Sequence, residues 1–204
     1  GRRIDSEQSF VTTSYDCDAP IAEGGGLTPK YYLLRLVNMM AHYMGDVLAA
    51  AAPVDAAATL SDCGSYTCSG PRGTFTVVTN NGNDNITTAR VVLDDGHVLD
   101  VDLSHLGATA VFSNADLAER HYLDYSSLMP LGLFFDRILV LHGPAGKSGV
   151  VSVDGQEITV QIPDGPTPDR IEHQKLVLLV MNSQLAQCCW KLDNELVIGP
   201  EFVG

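Results

Sequence analysis

Residues 86–103, ITTARVVLDDGHVLDVDL, decide the fold class. Asp95-Gly96 is a tight-turn signal set between two runs rich in β-branched and apolar residues, 86–93 and 98–103. In the second run Leu99, Val101 and Leu103 alternate with Asp100 and Asp102, so one face is apolar and the other wet. That alternation belongs to an antiparallel sheet. A parallel sheet, covered by helices on both faces, reads as a continuous apolar run.

The same grammar extends in both directions. Residues 74–79 read as a strand with Phe75 and Val77 on one face, followed by the turn cluster Asn80-Asn81-Gly82-Asn83-Asp84. Residues 62–73 read as turn-forming sequence. Ser113-Asn114-Ala115-Asp116 has the character of a capping box and predicts a short helix running to about Tyr122. Residues 131–141 predict one buried strand ending at His142. A second hairpin follows, with Val151 and Val153, the turn Asp154-Gly155, then Ile158, Val160 and Ile162. Residues 163–168 form a stiff Pro-rich loop, 176–181 predict a fully buried central strand, and 195–198 predict one more short strand.

Toward the N-terminus, Thr28 is placed to cap a helix and Pro29 to occupy its first position. Leu33, Leu36, Val37, Met40, Met44, Val47 and Leu48 recur at helical spacing, which predicts one amphipathic helix of about six turns ended by Pro53. Residues 1–27 are polar and aperiodic, and end at Gly24, Gly25 and Gly26, a candidate hinge. Such a segment cannot fold alone, so its own body or a neighbouring subunit must hold it. The expectation is therefore an extended N-terminal arm, residues 1–27, and a single α+β domain, residues 28–204. In that domain antiparallel hairpins and a meander pack with one long amphipathic helix and a short second one.

Charged residues make up 18% of the 204-residue chain, against about 25% in a typical domain, and the net charge is −13. The acidic balance argues against gripping a nucleic-acid backbone, which needs clustered Lys and Arg. No apolar run is long enough for a membrane helix, and no signal-peptide layout is present. Gly1 rather than Met opens the chain, as in a processed or trimmed product. Cys17, Cys63, Cys68, Cys188 and Cys189 do not form a disulfide framework, but Cys63 and Cys68 bracket a turn-like span and are a candidate disulfide.

No catalytic, cofactor or metal motif is complete. Gly143-Pro144-Ala145-Gly146-Lys147-Ser148 ends as a phosphate loop does, but Leu141 stands where the first glycine is required, and a strand rather than a helix follows. Asp94, Asp95, His97, Asp100, Asp102 and His105 lack calcium-loop spacing and read as a solvated face. No serine sits in a nucleophile elbow. Three functions stay in view. The first is a structural subunit of a large homo-oligomeric assembly, a viral capsid or filament, found in the virion and joined to other copies of itself through the arm and sheet edges. The second is a secreted or periplasmic β-rich binding module. The third is an enzyme whose site forms only in three dimensions.

Overall fold

The computed structural model describes residues 19–55, 62–118 and 120–199. In chain order the elements are α1 (Pro29–Tyr43), α2 (Gly45–Ala50), β1 (Ala52–Val54), β2 (Gly64–Gly70), β3 (Gly73–Thr79), β4 (Thr88–Val92), β5 (Val98–Asp102) and β6 (Ala108–Leu117). There follow β7 (His121–Ser126), β8 (Met129–Phe134), β9 (Ile138–Gly143), β10 (Ser148–Val153), β11 (Gln156–Gln161), β12 (Asp169–His173), β13 (Leu176–Asn182), α3 (Ser183–Ala186), β14 (Cys189–Leu192) and β15 (Glu195–Ile198). Pairing is antiparallel everywhere among the described strands except between β9 and β13.

A seven-stranded sheet in the order β1-β2-β3-β6-β7-β10-β11 lies face to face with a four-stranded sheet in the order β12-β13-β9-β8. Between them sit Phe112, Leu123, Val151 and Val160 from the larger sheet and Leu139, Leu141, Leu178 and Val180 from the smaller. The outer face of the larger sheet is covered by the β4–β5 ribbon, through Val78 and Val111 against Val91, Leu99 and Val101. The outer face of the smaller sheet is covered by α1, α3 and the β14–β15 ribbon, through Val140 and Met181 against Leu36, Leu185 and Leu196. The alternation of Leu99, Val101 and Leu103 thus buries one ribbon face, as the opening stretch requires.

Several local expectations change. The helical periodicity of residues 28–51 is divided between two helices, because Met44 leaves the helical region (φ −100, ψ 15) just before Gly45, a poor helix former. The break sends Leu36 to the outer core and Met44 and Val47 to the intersheet core. Thr28 makes no side-chain cap; its hydroxyl turns back to the carbonyls of Ala19 and Pro20, 3.1 Å from each. The predicted helix over 113–122 is not found: residues 113–117 lie in β6, and His121 and Tyr122 open β7. Asn114 at φ 51 inserts one step into β6, so that Ala110 and Phe112 before it and Ala115 and Leu117 after it all reach the same core. A two-residue period without that kink cannot do this. Residues 131–141 form not one strand but the hairpin β8–β9, turned by Phe135 and Asp136 at φ 55 and 54.

Residues 64–70, read as turn, are strand β2. That removes the candidate bridge between Cys63 and Cys68: five residues of strand set them about 16 Å apart, beyond the reach of a disulfide, and no such bond joins them. Of the expected arm, residues 1–18 lie outside the described residues. Residues 19–27 turn back on themselves, with Ile21 bridging Leu27 and the Ala22 amide donating to the Gly26 carbonyl at 2.9 Å. Gly24, Gly25 and Gly26 occupy this closed loop, with Gly25 at φ 83. Arg35 fastens α1 to the C-terminal segment. Its guanidinium lies 3.5 Å from the Trp190 ring centroid and donates to the Gln187 carbonyl, and burial lowers its pKa.

The seat of α1 depends on one glycine. At Gly132 in β8 a Cβ would lie 2.1 Å from Tyr43 Cβ, and φ is +136. Gly132→Ala is expected to destabilise the fold by about 3 kcal/mol, through backbone strain and overpacking together. Urea unfolding of the two proteins measures it; a difference below about 0.5 kcal/mol contradicts this account of how α1 is seated.

Candidate functional site

Four segments converge beneath the β4–β5 ribbon: the end of β9, the loop 144–147, the start of β10 and the start of α3. A cavity of about 180 Å³ lies among Asp100 and Asp102 of the ribbon, Thr109, His142, Lys147 and Ser148. It shares Asp102 and His142 with a pocket of about 20 Å³ at His105 and Ser183. It shares Asp100, Ser127 and Ser148 with one of about 280 Å³ that reaches Glu157 and Thr159 on β11. Together they form a groove between the ribbon and the larger sheet. The loop 143–148, whose glycines and lysine resemble part of a phosphate loop, connects β9 to β10 and lines this groove.

At its floor is a polar pair set by the one parallel pairing. Parallel register places Met181 beside His142 and Asn182 beside Gly143. Ser183, the first residue of α3, therefore meets His142 at the carboxyl ends of two buried strands. His142 Nδ1 lies 3.0 Å from Ser183 Oγ, and His142 and Ser183 are 2% and 4% exposed. His142 Nε2 is buried and has no partner among the described residues. Burial first, and the charge of His105 second, push the His142 pKa down to about 4, so the ring is neutral near pH 7.

A serine within hydrogen-bond reach of a histidine is the core of a nucleophilic site, but no orienting group meets this pair among the described residues. Ser183 occupies Nδ1, and no carboxylate is bonded to the other ring nitrogen among the described residues. The nearby acids are otherwise engaged: Asp100 pairs with Arg90 at 3.0 Å, and Asp102 accepts from the Ser104 amide at 2.7 Å. Among the described residues no group of three or more His, Cys, Asp or Glu is arranged to hold a metal ion. The arrangement can accept or donate one hydrogen bond inside a small polar cavity. His142 and Ser183 stand 41 positions apart, and no local motif in the sequence links them.

The exposed surface is informative in a different way. Among the described residues the large apolar side chains left exposed are Ile21, Leu27, Leu33, Leu34, Val37, Val54, Tyr66, Val98, Leu106, Tyr122, Phe135 and Leu192. Five of these twelve fall between residues 21 and 37, on the closed loop and the outer side of α1. Leu34, Val37 and Ala41, spaced by three and four residues, form a stripe along the helix with Leu33 beside it, facing away from the cores. No helix among the described residues is long and apolar enough to cross a membrane. No family model matches this sequence, and a search of curated proteins finds no significant relative.

The groove yields a pH prediction. The folded pKa of His142, about 4, lies below the ordinary 6.5. Between those values the unfolded chain binds a proton that the native chain does not, so stability falls as pH drops through that window, by about 3 kcal/mol in all. Below about pH 4 the contribution levels off. Urea unfolding of the wild type and of His142→Gln at several pH values isolates this slope: the wild-type advantage is expected to shrink across the window. Parallel pH profiles contradict the assignment.

Proposed function

We propose that this chain is a structural subunit of a large homo-oligomeric assembly, a viral shell or filament, that associates with other copies of itself through its N-terminal segment and its sheet edges. The observation that carries the reading is the concentration of exposed apolar side chains at residues 21–37. Exposed apolar surface gathered on one segment, rather than scattered, is characteristic of surfaces that a partner covers. The low charged share of 18% supports the same reading, and the net charge of −13 favours protein neighbours over nucleic acid.

One observation favours a second reading, a secreted or periplasmic β-rich binding module. The groove beneath the ribbon is large enough for a small polar ligand and is lined by His142, whose Nε2 has no partner among the described residues. A binding module of that kind is a stable monomer, so solution mass separates the two.

Sedimentation velocity at tens of micromolar is expected to show species several times heavier than the 21.8 kDa chain. Leu34→Glu with Val37→Glu charges the stripe while keeping helix propensity, and at exposed positions it leaves stability within about 0.5 kcal/mol. The double variant is expected to lose the large species and keep its melting temperature. A monomeric wild type overturns the assembly reading, and an unaffected double variant removes α1 from it.

A further inference from the structure

Natural sheets protect their ends, since an open edge strand offers a row of unpaired amides and carbonyls. Three of the four edges of the two larger sheets are protected. Strand β1 is three residues long with Pro53 at its centre, and five of the six residues of β8 are buried. Strand β12 is lined with charge, its Arg170 paired to Glu172. The fourth, β11, reads Gln156-Glu157-Ile158-Thr159-Val160-Gln161. It has no proline, no lysine and no bulge, and it pairs with β10 over six consecutive positions.

The hairpin tells which backbone groups of β11 face outward. Asp154 and Gly155, at φ 52 and 76, form a two-residue turn closed by the pair Val153 and Gln156. In such a turn the closing pair exchanges ladder bonds, so Gln156, Ile158 and Val160 bond to β10. The strand continues accordingly: the Ile162 amide donates to the Lys147 carbonyl at 2.8 Å. Glu157, Thr159 and Gln161 therefore turn both amide and carbonyl to the open edge. Their side chains are exposed on the outer face, whereas Val160 is 1% exposed and Ile158 packs on the intersheet core.

We propose that β11 pairs antiparallel with β11 of a second copy about a two-fold axis at Thr159, continuing the larger sheet from one copy into the next. This partner assignment rests on the assembly reading above. The strand is complementary to itself in this register. Thr159 meets Thr159, Ile158 meets Val160 so that the apolar face continues, and Glu157, the only charge on the strand, meets the amide side chain of Gln161. All three outward-facing residues of each strand are paired, giving about six backbone hydrogen bonds. A register that sets Glu157 against Glu157 opposes like charges and leaves the other outward groups unpaired.

The test uses the full chain carrying Leu34→Glu and Val37→Glu, in which the helix contact is removed. Sedimentation equilibrium is expected to give a dimer, twice the 21.8 kDa chain mass. Adding Thr159→Lys sets two ammonium groups against each other on the axis without touching an internal ladder bond. It is expected to weaken the dimer at least tenfold at an unchanged melting temperature. In a second measurement, Thr159→Cys is expected to crosslink to its counterpart on mild oxidation where the wild type does not, since directly opposed strand residues lie about 5.5 Å apart, within disulfide range. If the wild type assembles but Thr159→Lys leaves the dimer unchanged, or Thr159→Cys gives no crosslink, the edge assignment falls and the assembly reading stands. If the wild type is a monomer, both fall.

Discussion

The structure depends on burying two strands on both faces. Leu139, Val140 and Leu141 of β9, and Leu176, Leu178, Val180 and Met181 of β13, are all at most 1% exposed. A strand with apolar side chains on both faces is stable only inside a layered stack, so something must cover each side of the smaller sheet. The larger sheet covers one side; α1, α3 and the C-terminal ribbon cover the other. Every other feature is arranged around that requirement. The break at Met44 lets one apolar helical run serve two cores, and Gly132 lets α1 approach β8 closely enough to close the outer layer.

The same parallel pair creates the polar site. Where β9 and β13 end together, His142 and Ser183 are brought into a buried hydrogen bond, and desolvation keeps the ring neutral. Asn182 ends the strand productively. Its side chain accepts from the Leu185 amide at 2.8 Å and donates to the carbonyls of Pro163 and Gly165 at 3.0 and 2.9 Å. One residue thus caps α3 and holds the Pro-rich loop that carries the chain from one sheet to the other. The groove above is built from the ends of elements rather than from any contiguous motif. The exposed apolar stripe of α1 and the open edge of β11 lie elsewhere, on parts of the chain that the layered cores leave uncovered.

Hairpins were the legible part of the fold. The Asp-Gly pairs at 95–96 and 154–155 prescribe backbone conformations that few other residues adopt, and the alternating flanks of each pair name the buried face. The buried strand at 176–181 and the short one at 195–198 were legible for similar reasons of pattern. A turn without glycine or asparagine inside an apolar run was not. Phe135 and Asp136 carry no glycine or asparagine signal, so an apolar run hid the reversal between β8 and β9. The capping-box pattern at 113–116 was a local preference for a helix, which the intersheet core overrode by taking Phe112, Ala115 and Leu117 from a kinked strand. Strand β2, rich in Gly, Ser and Thr, has almost no hydrophobic pattern. It exists because β3 offers it a ladder of seven paired positions.

The sequence by itself determined the class of the fold. Short-range turn chemistry and two-residue alternation act within a few residues of each other and need no distant partner to be read. It also determined the acidic net charge of −13, because composition is independent of conformation. Only the tertiary structure decided which strands share a sheet, that β9 and β13 run parallel, that His142 meets Ser183, and that the cysteines at 63 and 68 are held apart by a strand. Each of these depends on contacts between residues far apart in the chain, whose free energy comes from surface jointly removed from water. No window of sequence contains both sides of such a contact.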